Sequence, residues 1–165
     1  LRYPRGEAYE GLKEFRAPIE YGKSELLYEE SEIAVMFVGH MSFLAEQVRE
    51  DLKAAGYQCS LINARFVKPL DTEMIREFFY AVSYSAENHR ILVTIEENVL
   101  TGGFGEQVED FVMREDIPLK VRTIGISDDY VEHGNVDVLR KEVGLDRESI
   151  VKKVIADDRR IEEEK

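Results

Sequence analysis

The apolar run IAVMFV (33–38) constrains the fold of this chain more than any other feature. A strand can afford six consecutive apolar residues only when both of its faces are covered. YQCSLIN (57–63), RILVTI (90–95) and LKVRTIG (119–125) read as three further strands. Helical spacing fills the gaps. Leu44, Ala45, Val48, Leu52 and Ala55 make one apolar face, which Ser42 can start and Gly56 can stop as a C′ residue. Asp71 is placed to cap a second helix, with Glu73 favourable in its first turn and Met74, Ile75, Phe78 and Phe79 as its stripe. Val108, Phe111 and Val112 mark a third helix, and VDVLRKEVG and DRESIVKKVIADDRRIEEEK two more. Asp146 can cap the last one, and Ile150, Val151, Val154 and Ile155 can dock it. Its tail, charged on all sides from Asp157, is expected to fray. Strands alternating with helices predict an α/β protein, a three-layer α/β/α sandwich with a mostly parallel sheet. Residues 1–32 read as an irregular arm leading into it.

With 165 residues, 44% of them hydrophobic, the chain can bury one ordinary core and is not of a disordered class. Its net charge of −12 argues against a nucleic-acid surface and an anionic membrane, both of which need clustered Lys and Arg. No apolar stretch nears the roughly 20 residues of a membrane span. No signal peptide is visible, and the composition suits a cytoplasmic protein. Cys59 is the only cysteine, so no internal disulfide is possible; within its apolar run it reads as a buried, inert thiol. An opening Leu1 followed at once by RYPRG points to a segment of a longer protein.

TIEENVLTGGFG (94–105) is the most suggestive stretch for chemistry. Gly102-Gly103-Phe104-Gly105 lacks the third glycine spacing of a dinucleotide fingerprint, and no Gly-Lys-Ser/Thr follows a strand. The one GKS (22–24) lies in the arm. Two readings stay open: an anion held at the following helix N-terminus, or a turn needing positive φ or a close backbone approach, which is the commoner case. Glu96 and Glu97 are adjacent, so on a strand they face opposite ways and do not form a cooperating pair. One of them is expected at the sheet's carboxyl edge, the other capping a backbone group or facing water.

His40 and His133 have acid/base chemistry available, but turn positions at a surface or interface are the better reading; His89 reads as solvated. No His, Cys or acid spacing suggests a metal site. Arg2 and Arg5 flank a proline, which would hold two guanidinium forks for a phosphate. Composition favours plain surface pairing with the many acids. Arg65 and Lys68, in NARFVKPLD, are expected to bind protein carboxylates. No nucleophile elbow, metal cluster or full cofactor fingerprint is present, so no catalytic residue is assigned.

RYPRG (2–6), GKSE (22–25), NARFVKPLD (63–71), TIEENVLTGGFG (94–105), EHG (132–134) and EVGLDRESIVKKV (142–154) occur in this order. Together they resemble the C-terminal third of the 1-deoxy-D-xylulose-5-phosphate synthase family, within the transketolase superfamily. The pyruvate dehydrogenase beta subunit keeps looser versions of the same motifs. The resemblance implies a transketolase C-terminal-like domain over 33–165, with 1–32 as the end of a preceding pyrimidine-binding domain and a linker arm. Whole enzymes of that family condense pyruvate with glyceraldehyde 3-phosphate, releasing carbon dioxide, on the way to isoprenoids, thiamine and pyridoxal. They use thiamine diphosphate and Mg²⁺, held by upstream domains, and act as homodimers. The resemblance implies that Arg5 binds the substrate phosphate and that this chain alone holds no cofactor and is inactive. His40 departs from the family's usual small or hydroxyl residue and receives no role. The alternatives are a free-standing or split-subunit interaction module, for example of a 2-oxo acid dehydrogenase beta type, and a flavodoxin-like nucleotide binder.

Overall fold

The computed structural model describes residues 9–82 and 91–163. Five strands, β1 (Glu25–Tyr28), β2 (Ile33–Phe37), β3 (Cys59–Asn63), β4 (Ile91–Val99) and β5 (Lys120–Ile126), form one sheet in the order β1-β3-β2-β4-β5. The pairs β2–β3, β2–β4 and β4–β5 are parallel, and β1 runs antiparallel to β3. The helices are α1 (Ser42–Ala54), α2 (Thr72–Val82), α3 (Phe104–Arg114), α4 (Val136–Glu142) and α5 (Arg147–Glu163).

Every residue of β2 is buried, as its unbroken apolar run requires. Ile33, Val35 and Phe37 pack under Ala45, Val48 and Leu52 of α1 and Ile150 and Val154 of α5. Ala34 and Met36 face Ile75 of α2 and Phe104, Val108, Phe111 and Val112 of α3. Two helical layers thus enclose the sheet. The side chains of Phe78 and Phe79, like His89 and Arg90, lie outside the described residues.

Local signals act as expected at the helix ends. Gly56 (φ +99°) follows α1, where the Gly56 N–H donates to the Lys53 carbonyl and the Tyr57 N–H to the Leu52 carbonyl. Those two bonds are a Schellman closure. Asp71 Oδ1 accepts from the Met74 N–H at 3.2 Å, and Asp146 Oδ1 from the Ser149 N–H at 3.1 Å. Each caps the helix that follows it.

Three features differ from expectation. ELLY (25–28), inside the arm read as irregular, is the edge strand β1, bulged between Leu26 and Tyr28. Four residues that begin with Glu25 and run into Glu29 and Glu30 carry little pattern of their own; the unpaired edge of β3 gives them one. Strand β4 runs through Glu96 and Glu97 to Val99, past the end of its apolar run. The tail of α5 does not come loose at Asp157: Asp157 and Asp158 are only 2% and 7% exposed. Arg122 Nε and Nη2 each lie 2.5 Å from the Asp157 carboxylate, and Lys120 Nζ lies 3.3 Å away. An acid counted as solvated in the helix is therefore the anchor that docks it to β5.

Burial alone would push the Asp157 carboxyl up, but Arg122 and Lys120 outweigh it and hold it below its ordinary value. A depressed carboxyl stabilises the fold above its unfolded pKa, and that contribution is lost as pH falls through the lower folded value. Asp157→Asn should therefore cost about 1–2 kcal/mol at neutral pH, discounted because Arg122 is partly exposed. The gap to the parent should close below about pH 4. Urea denaturation across that range checks it, and a gap that persists unchanged in acid rules the ion pair out as the cause.

Among the described residues no helix is long and apolar enough to cross a membrane.

Candidate functional site

Strand order reverses on either side of β2, since the chain steps from β2 to β3 on one side and later occupies β4 on the other. In open α/β sheets a crevice forms beyond the carboxyl ends of the strands at such a point. Register pairs Phe37 with Ile95, so His40, just beyond β2, lies beside the Glu96–Glu97 end of β4 and meets Glu97 there.

Glu96 points to the α3 side and is 4% exposed. Its Oε2 accepts from the Phe104 N–H at 2.9 Å and its Oε1 from the Gly105 N–H at 2.8 Å. These are the first two N–H groups of α3, which have no partner within the helix. The glycines make room for this. Gly102 adopts φ +71°, and a Cβ on Gly103 would stand 2.6 Å from both Glu96 Oε1 and the Val99 carbonyl oxygen. Glu106 also accepts from the Gly102 N–H. Both glycine properties expected of a plain turn, positive φ and close approach, are therefore present. The helix N-terminus, one of the two readings left open for an anion, already holds a carboxylate from its own sheet.

Glu97 turns the other way. Its Oε2 lies 2.6 Å from His40 Nε2, and its Oε1 accepts from Arg140 Nε and Nη2 at 2.8 and 2.7 Å. Burial would raise the Glu97 carboxyl, but Arg140 and then His40 bring it below its ordinary value. His40 is presented by Gly39 (φ +60°), which opens the 3₁₀ turn Gly39–Met41. Arg140 comes from α4, capped by Asn135 Oδ1, which accepts from the Asp137 and Val138 N–H groups at 3.0 and 3.4 Å. The three side chains are each about 30% exposed and join the turn after β2, the end of β4 and α4. Sequence reasoning missed Arg140. It is one more charge in a charged helix, 43 residues from Glu97, and carries no local signal.

The arrangement contains no nucleophile. Its carboxylate is engaged by a guanidinium and an imidazole, so its chemistry is that of an ion-pair tie. Among the described residues no group of three or more His, Cys, Asp or Glu converges as metal ligands. With the α3 N-terminus filled, these residues do not fit a diphosphate or a metal ion.

The remaining candidates are dispersed. Arg65 (φ +56°) pairs with Glu25 at 2.5 Å and donates to the Pro18 and Ala17 carbonyls, so it binds the protein's own arm. Lys68 is exposed beside Pro69, and His133 is exposed in the turn before α4. Cys59 is buried, and burial pushes its thiol up to about 12, so it is no nucleophile at neutral pH. Arg2 and Arg5 lie outside the described residues.

A family model described as the transketolase C-terminal domain matches residues 22–150. A 1-deoxy-D-xylulose-5-phosphate synthase of Lachnoclostridium phytofermentans is 43% identical over 155 residues, covering 93% of this chain and 24% of that protein. The same-named protein of Aquifex aeolicus is 39% identical over 154 residues, covering 93% and 23%. The chain thus spans about a quarter of the length of these relatives. Among solved structures, a split gene transketolase in an inactive beta4 tetramer superposes with a TM-score of 0.69 at 25% identity, over 84% of this chain and 42% of that one. A transketolase from Campylobacter jejuni, at 14% identity and a TM-score of 0.54 over 82% of this chain and 18% of its own, shares the fold.

Proposed function

From this chain's membership of the transketolase C-terminal domain family, we propose that it is the C-terminal domain of a working 1-deoxy-D-xylulose-5-phosphate synthase. In this reading the whole enzyme is a cytoplasmic homodimer that condenses pyruvate with glyceraldehyde 3-phosphate, losing carbon dioxide, for isoprenoid, thiamine and pyridoxal synthesis. The observation that carries it is identity of up to 43% running through 93% of the chain. Thiamine diphosphate supplies the carbanion chemistry in such an enzyme. The described residues do not fit that group or its Mg²⁺, so both are assigned to upstream domains. This domain supports the domain and dimer interfaces and contributes Arg5 from its arm. The arm links it to the pyrimidine-binding domain. We place the end of that link at the start of β1 rather than at residue 32, because β1 is bonded into the sheet.

Two assays test the proposal. The whole protein, expressed from the full coding sequence, should make deoxyxylulose phosphate, while the 165-residue chain alone should make none. In the whole enzyme, Arg5→Ala should raise KM for glyceraldehyde 3-phosphate by roughly tenfold, the scale of one charge-assisted bond to phosphate, and leave KM for pyruvate unchanged. Equal rises for both substrates would remove Arg5 from the phosphate site. The likeness to a split gene transketolase supports a second reading, a separately encoded subunit. An upstream Gly-Asp-Gly…Asn thiamine motif in the same reading frame decides against it.

A further inference from the structure

Exposed apolar side chains gather at one end of this molecule. Phe43 follows β2, Val67 follows β3, Val99 ends β4, and Tyr130, Val136 and Val138 follow β5, with exposures from 39% to 90%. All six stand at the carboxyl end of the sheet. Ile19 and Tyr21 of the arm join them at 75% and 82% exposure. Arg65, two residues past β3, donates to the neighbouring Pro18 carbonyl, and the Tyr21 ring meets Phe66 edge-on at 5.6 Å. Among the described residues Met113, near the end of α3, is the large apolar side chain exposed at the opposite end. The other exposed side chains at that end are charged or small, such as Glu29, Lys53, Arg114, Glu115 and Asp116. Random scatter does not segregate in this way, and exposed apolar surface concentrated on one face marks an interface.

Helix α4 sharpens the case. It has no buried residue of its own, and its Val136 and Val138 are exposed. The Arg140–Glu97–His40 tie holds it to the sheet while leaving those valines outward. The triad therefore braces three elements of one face rather than forming a reaction centre.

The arm indicates what covers this face. The Tyr9 ring lies 5.1 Å from the Phe43 ring, and its hydroxyl donates to Glu46. Both partners lie in the first turns of α1, so the arm meets the domain at this same end. In the relatives, three quarters of the protein lies outside the matched region. We propose that the carboxyl end of this sheet, centred on α4 and its His40–Glu97–Arg140 brace, is the face that docks on the preceding domains of the same enzyme. The inference rests on the functional reading above.

Photo-crosslinking in the whole enzyme tests it. Benzoylphenylalanine is placed at Val138, and separately at Met113 as the control. Irradiation followed by peptide mapping should join position 138 to sequence upstream of residue 9, with several-fold higher yield than position 113. Coupling of 138 to residues 9–163 of a second copy would overturn the proposal in favour of self-association. A yield at 138 no greater than at 113 would overturn it in favour of an open surface. Synthase activity is measured on the same samples. An active enzyme without the upstream crosslink sinks the docking proposal alone, and absence of activity in the unmodified whole protein sinks the functional reading.

Discussion

Replacing Glu96 with alanine is expected to lower the unfolding free energy by about 3 kcal/mol, because two buried N–H donors lose a charged acceptor at once. For a domain of ordinary stability, about 5–15 kcal/mol, this is a large fraction. Glu96→Gln should fall between parent and alanine. Its carbonyl can accept one of the two bonds, but its NH₂ group then faces the other donor. The neighbouring Glu97→Ala is the informative contrast. Glu97 is partly exposed, and its ion pairs sit in contact with water, so a loss of about 1 kcal/mol or less is expected. Urea denaturation of the three variants measures the differences. Similar losses for Glu96→Ala and Glu97→Ala would sink the claim that Glu96 stands in for an anion at the α3 N-terminus.

Gly105→Ala should be the next most damaging change, at about 2 kcal/mol net. Alanine is better than glycine in a helix by about 1 kcal/mol, so propensity alone predicts a gain. Packing reverses the sign. A Cβ at this position would stand 2.7 Å from Thr123 Cγ2 and 2.7 Å from Thr94 Oγ1, both on β-branched side chains of the sheet below. Such side chains are stiff at χ1 and cannot swing aside. The helix must lift, which also stretches the Gly105 N–H bond to Glu96. Thr123→Ser removes one of the two obstructing atoms, so adding it to Gly105→Ala should recover part of the loss. A double-mutant cycle with no coupling between the two sites would show that the contact is not the cause.

Much of the fold was legible in the sequence because its signals are local. The all-apolar run 33–38 is typical of a strand covered on both sides and pointed to β2, and the alternation of strands with helices pointed to the layered architecture. The helix ends were equally readable: Gly56, Asp71 and Asp146 act on backbone groups within a few residues. Strand β1 was not legible, since four residues gain strand character only from the free edge of β3. Nor was the docking of α5 through Asp157, because its partners Arg122 and Lys120 lie in a different strand, and a carboxylate in a helix looks the same whether solvated or paired.

The candidate site divides in the same way. From adjacency alone it followed that Glu96 and Glu97 face apart, and from spacing that the glycine turn is no nucleotide loop. The ordered motifs pointed to the transketolase superfamily. Only the tertiary structure decided which acid caps the helix and that the α3 N-terminus is filled from within. It alone brought Arg140 and His40 to Glu97 and placed Tyr9, Tyr130 and the α4 valines at one end. The physical reason is range. Strand periodicity, helix caps and turn geometry are set by neighbours in the chain, whereas ion pairs and exposed faces depend on which distant segments the folded sheet brings together.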